Sequence, residues 1–102
     1  MKRGRRRRGR FGRKPHPVYI GHTPPTRAFN PVPEPHGEPI NLEPAELEAI
    51  RLTDLENLNQ EEVGERMGVS RGTIWRLLKR GRTKITKALV EGRRIEIREP
   101  PE

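Results

Sequence analysis

The residues of this chain with chemistry to perform are cations, and they come in two blocks. Residues 1–14 hold Lys2, Arg3, Arg5, Arg6, Arg7, Arg8, Arg10, Arg13 and Lys14 and no acid, a charge of +9. Residues 67–98 hold ten Lys/Arg against Glu91 and Glu96, a charge of +8. Between them, residues 41–66 carry eight acids against Arg51 and Arg66, a charge of −6. Two basic blocks around an acidic one point to a polyanion met by a folded face and a separate arm. Nucleic acid is the expected polyanion, since Arg far outnumbers Lys in the arm; a merely solvated surface is the competing reading.

Other chemistries find little support. The absence of cysteine removes disulfides, thiolate metal sites and a cysteine nucleophile together. His16, His22 and His36 are separated by prolines, with no acidic cluster at ligand spacing, so they are expected as solvated loop residues and no metal or cofactor is expected. Glu43, Glu46, Glu48, Glu61, Glu62 and Glu65 are expected mainly to cap helices. A catalytic pair would need a cleft, which a chain only 29% hydrophobic hardly allows. The expectation is therefore no enzyme. No apolar run nears the ~20 residues that span a bilayer, and no apolar segment follows the basic start. A soluble cytoplasmic protein, associated with the nucleoid and without a membrane partner, is expected.

The elements that must position these cations can be read in turn. With 102 residues the chain should form one small domain with tails. The Arg/Gly block 1–14 is expected to stay unfolded when free, because it repels itself and lacks hydrophobic periodicity. Residues 15–40 carry eight prolines, which exclude helix and suggest a semi-rigid linker in which Val18, Tyr19 and Ile20 form a short extended piece. The domain is placed at 41–98, with 99–102 as a tail. Pro44 opens a first helix over 44–55, with Ala45, Leu47, Ile50, Leu52 and Leu55 as its apolar positions. Asn59 and Glu62 form a capping pair for a second helix over 60–67, stopped by Gly68. Ser70 caps a third helix. At ~100° per residue, Ile74, Leu77, Leu78, Gly81, Ile85, Ala88 and Leu89 share one face, so this helix should run to Glu91 and stop at Gly92. Residues 93–98 alternate around Ile95 and Ile97 and fit a short strand or an extended tail. The expected class is all-α, a small helical bundle with a disordered basic arm and a proline-rich linker.

Residues 60–79 meet the steric requirements of a helix-turn-helix. Gly64 is small where two helices cross, Gly68 makes the turn, and Val63, Met67, Val69, Ile74 and Leu77 are apolar where the helices bury each other. An ordinary helical hairpin needs no glycine at both places. The stretch LEPAELEAIRLTDLENLNQEEVGERMGVSRGTIWRLL (42–78) resembles a small prokaryotic family of predicted DNA-binding proteins, whose helix-turn-helix is similar to region four of housekeeping sigma factors. The resemblance covers about residues 42–97. Family members usually carry cysteines in the basic N-terminal segment, and this chain has none.

The resemblance implies that the third helix enters the major groove of DNA. Its outward face, opposite the apolar stripe, carries Gly72, Arg76, Lys79, Arg80, Thr83 and Lys87, flanked by Arg71, Thr73 and Trp75. Arg71 and Arg76 are the candidates for bidentate contact with guanine. Thr73 can touch a base edge or a phosphate, and Gly72 either lets the backbone approach the groove or is simply tolerated. Trp75 either contacts sugar or a thymine methyl, or packs against the linker. Gln60, Ser70, Lys79, Arg80, Arg82, Lys84 and Lys87 are candidates for the DNA backbone. The arm is expected on phosphates or in an A·T-rich minor groove. The expected function is sequence-specific binding of double-stranded DNA by a transcriptional regulator, with a homodimer and the transcription machinery as further partners. Two rival readings stand beside it: an RNA- or ribonucleoprotein-associated basic protein, and an adaptor docking through its acidic helices.

Overall fold

The computed structural model describes residues 18–99; the basic block 1–14 lies outside the described residues. In chain order the elements are β1 (Ala28–Phe29), β2 (Ile40–Leu42), α1 (Pro44–Ile50, continued by a π-helical turn Arg51–Leu55), α2 (Gln60–Met67), α3 (Arg71–Glu91) and β3 (Ile95–Ile97).

Each helix starts where a side chain can satisfy its free backbone donors. Glu43 and Glu46 make a reciprocal capping box ahead of α1, with Pro44 in its first turn. Asn59 and Glu62 do the same for α2, the Glu62 N–H donating to Asn59 Oδ1 at 2.8 Å. Gly68 then leaves α2 in the left-handed conformation, at φ 74°, where a side chain would be strained. Ser70 caps α3, which ends at Gly92.

The first helix departs from expectation. Its last five residues are π-helical, with the Glu56 N–H donating to the Arg51 carbonyl at 3.2 Å. The wider turn shifts the register, so Leu52 is buried while Leu55 is left 76% exposed.

The core forms where α1, α2 and α3 meet, from Ala49, Leu52, Val63, Met67, Ile74, Leu77 and Leu78. Two glycines set how closely the helices approach. A Cβ on Gly64 would lie 2.7 Å from the Val69 carbonyl oxygen, and one on Gly81 would lie 2.7 Å from Ile50 Cδ1. The apolar face of α3 is shorter than its periodicity implies: Ala88 is buried, but Leu89 is 76% exposed. Periodicity defines a face and not the length of the partner that covers it.

The fold is not purely α. β3 lies between β1 and β2 in a three-stranded sheet. It runs antiparallel to β1, pairing Phe29 with Ile95, and parallel to β2, pairing Ile40 with Ile95 and Leu42 with Ile97. The alternation of Ile95 and Ile97 was legible, but its partners sit more than 50 residues earlier, around a proline-rich stretch that reads as linker. Those prolines exclude helix without excluding short strands at a sheet edge. The stretch is bound to the domain along its length: Tyr19 N–H donates to the Met67 carbonyl (3.0 Å), His36 N–H to Gly92 (2.8 Å) and Ile40 N–H to Arg94 (2.8 Å). Among the described residues no helix is long and apolar enough to cross a membrane.

Candidate nucleic-acid interface

Side-chain hydrogen bonds link the residues at the start of α3. The Thr73 N–H donates to Ser70 Oγ at 3.1 Å, and the two hydroxyls lie 3.0 Å apart. Arg76 Nη2 donates to Thr73 Oγ1 at 3.3 Å, which holds the guanidinium above the first turn. Beneath this turn Ile74 is fully buried and Leu77 nearly so. On its outer side Arg71, Gly72, Trp75 and Arg76 are exposed, and Thr73 is half-buried. Gly72 occupies open space, since a Cβ there would meet no atom closer than 3.9 Å. Trp75 is 56% exposed, so its indole stands mostly in solvent rather than under the proline-rich segment. Gln60, the first residue of α2, is half-buried.

The cations that follow divide into two groups. Lys84 Nζ lies 2.8 Å from Glu46 Oε1 and 2.8 Å from the Asn41 carbonyl. Arg80 Nε donates to Glu46 Oε2 at 3.2 Å, and Arg82 Nη2 donates to Asp54 Oδ1 at 2.7 Å. Among the described residues Arg71, Arg76, Lys79 and Lys87 form no ion pair. Lys84, expected on the DNA backbone, is thus a half-buried structural cation, because its helical position turns it toward β2 and α1. Arg80 and Arg82 are paired but remain largely exposed.

Glu46 is the residue whose role the sequence understated. It caps α1, but it is also 1% exposed and joins α1 to α3 through Lys84 and Arg80. The sequence put the apolar face of this helix on Ala45, Leu47, Ile50, Leu52 and Leu55; Glu46 lies three residues before Ala49, which the structure shows to be core, on the same side of the helix. Glu48 is similarly buried and binds the proline-rich segment, accepting from the Gly21 N–H at 2.9 Å and from Arg51 Nη2 at 2.8 Å. Burial pushes the Glu48 carboxyl up. The Arg51 and Gly21 hydrogen bonds, with the positive charge of Arg51, outweigh that and hold it below the usual carboxylate range.

The outer surface of α2 is acidic: Glu61 and Glu65 are exposed and border the open groove between α2 and the start of α3. Among the described residues no group of three His, Cys, Asp or Glu side chains is arranged to hold a metal ion.

A family model described as "Protein of unknown function DUF134" matches residues 1–100. The chain is 49% identical over 81 residues to the UPF0251 protein TK0562 of Thermococcus kodakarensis, covering 76% of this chain and 72% of the relative. It is 48% identical over 98 residues to the UPF0251 protein PF0620 of Pyrococcus furiosus, covering 93% and 83%. It is 42% identical over 89 residues to a UPF0251 protein of Desulforudis audaxviator, covering 85% and 58%. No solved structure matches significantly.

Proposed function

This chain belongs to the DUF134 family of archaea and bacteria, and we propose that it binds double-stranded DNA sequence-specifically as a transcriptional regulator. In this reading α2 and α3 are a helix-turn-helix similar to that of sigma factor region four, and α3 enters the major groove from Ser70 onward. The observation that carries the reading is the division of cations on α3. Glu46 occupies Lys84 and draws in Arg80, whereas Arg71, Arg76, Lys79 and Lys87 stand exposed without an acidic partner among the described residues. Arg71 in the first turn of α3 and Arg76 in the second are thereby left available to a polyanion.

Arg71 and Arg76 read base edges, with Thr73 holding Arg76 and Gly72 leaving room for the groove wall. Trp75 lies against sugar or a thymine methyl. Gln60, Ser70, Lys79 and Lys87 hold phosphates and set position, with Arg80 and Arg82 adding charge. The reading places the protein with the nucleoid in the cytoplasm and asks for no cofactor. Selection of bound sequences from random duplex DNA tests it: one recovered motif is expected, and a palindrome would indicate a second copy. Replacing Arg71 and Arg76 by Ala should each remove ~1–3 kcal/mol of discrimination while non-specific binding persists. Recovery of no motif, or equal binding to structured RNA, would overturn the reading.

A further inference from the structure

The apolar stripe of α3 outruns the surface that covers it. Ile74, Leu77 and Leu78 are core and Ala88 is buried, but Leu89 is 76% exposed. The edge strand β1 leaves Phe29 60% exposed, and Val32 after it is 93% exposed. These three side chains do not stand apart. With Pro31, Ala88 and Ile95 they line one open groove of about 360 Å³ at the C-terminal end of α3. Single exposed apolar side chains are ordinary, whereas several around one groove mark a surface for association. Nothing among the described residues covers them.

Charge selects the occupant. Arg93 is the one charged residue in the groove's lining, and its Nη1 donates to Glu91 Oε1 at 3.2 Å. Arg94, next to it, donates from Nε to Glu96 Oε2 at 3.1 Å and from Nη1 to Asn30 Oδ1 at 2.7 Å. A polyanion therefore finds no unpaired cation in this groove, in contrast to the start of α3. A strongly acidic or basic partner finds no net charge to match. A second copy of this chain, at a formal charge of +8, is repelled overall. Here it meets apolar side chains bordered by balanced arginine and glutamate, and a two-fold arrangement sets the arginines of each copy near the glutamates of the other.

We infer that this groove is the face on which two copies of the chain join, with Phe29, Val32 and Leu89 of each buried against those of the other. The face is also well separated from the residues proposed to read DNA. At ~1.5 Å per residue, Arg71 lies about 27 Å and Arg76 about 20 Å from Leu89 along the unbroken α3. Two copies joined at Leu89, with both helices inclined to the shared axis, can thus set their reading turns ~34 Å apart, one turn of duplex. That spacing rests on the DNA reading above; the interface itself does not.

Sedimentation of the full chain without DNA, from micromolar to millimolar concentration, tests the inference. The parent should be a dimer. Val32→Glu and Leu89→Glu place a carboxylate in the joined face, and a two-fold interface contains every substitution twice. Each should raise the dissociation constant of the dimer at least ~100-fold. Both positions stand in solvent in the single chain, so circular dichroism should match the parent. Leu55→Glu, equally exposed but outside the groove, should leave the dimer intact. A parent that stays monomeric throughout, or a dimer that survives both groove substitutions, would overturn the inference and leave the DNA reading standing. A dimer that Val32→Glu and Leu89→Glu both break supports it even where the selection recovers no sequence.

Discussion

Gly72 differs from the other helical glycines in having no structural cause in its surroundings. Gly64 and Gly81 are required by their neighbours, each with an atom 2.7 Å from where a Cβ would sit. Gly72 has neither crowding nor a positive φ to account for it. A glycine inside a helix costs ~0.5–1 kcal/mol relative to alanine, so the protein forgoes stability at this position. Gly72→Ala should therefore raise the unfolding free energy by up to ~1 kcal/mol and weaken binding to the selected duplex. Denaturant unfolding and binding titrations on the same sample check both, and improved binding would show that the glycine is merely tolerated. Glu48 makes a pH prediction. Its folded pKa lies below the ordinary 4.5, so as pH falls the unfolded chain takes up the proton first. The stabilisation from this carboxylate is complete above that value and is lost as pH drops through the folded one. Glu48→Gln should lose stability at pH 7, and the difference from the parent should shrink as acid protonates Glu48; unfolding curves from pH 7 to pH 3 measure it.

Among the elements, α3 has a structural duty and, in the proposed reading, a DNA-binding one, and its lysines divide between them. Lys84 ties the helix to Glu46 and the Asn41 carbonyl, whereas Lys79 is exposed and unpaired among the described residues. Removing one member of a buried ion pair leaves the other charge without compensation, a cost of ~3–5 kcal/mol where burial is complete. Lys84 is only half-buried and Arg80 still faces Glu46, so Lys84→Met should cost about 1–3 kcal/mol of stability. Lys79→Met should leave stability nearly unchanged and lower DNA affinity. Thermal unfolding and binding assays on the pair distinguish them, and a stable Lys84→Met would remove the proposed division of roles. The sequence placed both lysines on the helix that begins after Ser70. It did not show which would meet Glu46, because that contact spans 38 residues and depends on how α1 crosses α3.

Across the whole molecule, the proline-rich stretch is the part most changed by seeing the fold. As sequence it reads as a linker to a domain beginning at 41. In the structure Ile40 is core, and β1 forms one edge of the sheet that β3 completes. A chain beginning at residue 41 should therefore unfold at a lower temperature than one beginning at residue 18, which thermal unfolding of the two fragments would test. Equal midpoints would mean that the strand pairs and the Tyr19 and Gly21 hydrogen bonds contribute little.

Local chemistry alone settled the ends of α2 and α3 and the direction of their apolar faces, because caps, glycine stops and helical period act over a few residues. It also put Arg76 on the outer face of α3 with Arg71 at its flank. Tertiary structure alone decided that Leu55 and Leu89 stay in solvent, that Glu46 is buried between helices, and that residues 28–29 and 40–42 pair with 95–97. Those outcomes depend on which distant surface arrives to cover a side chain or accept a backbone bond, and short-range periodicity carries no information about that arrival.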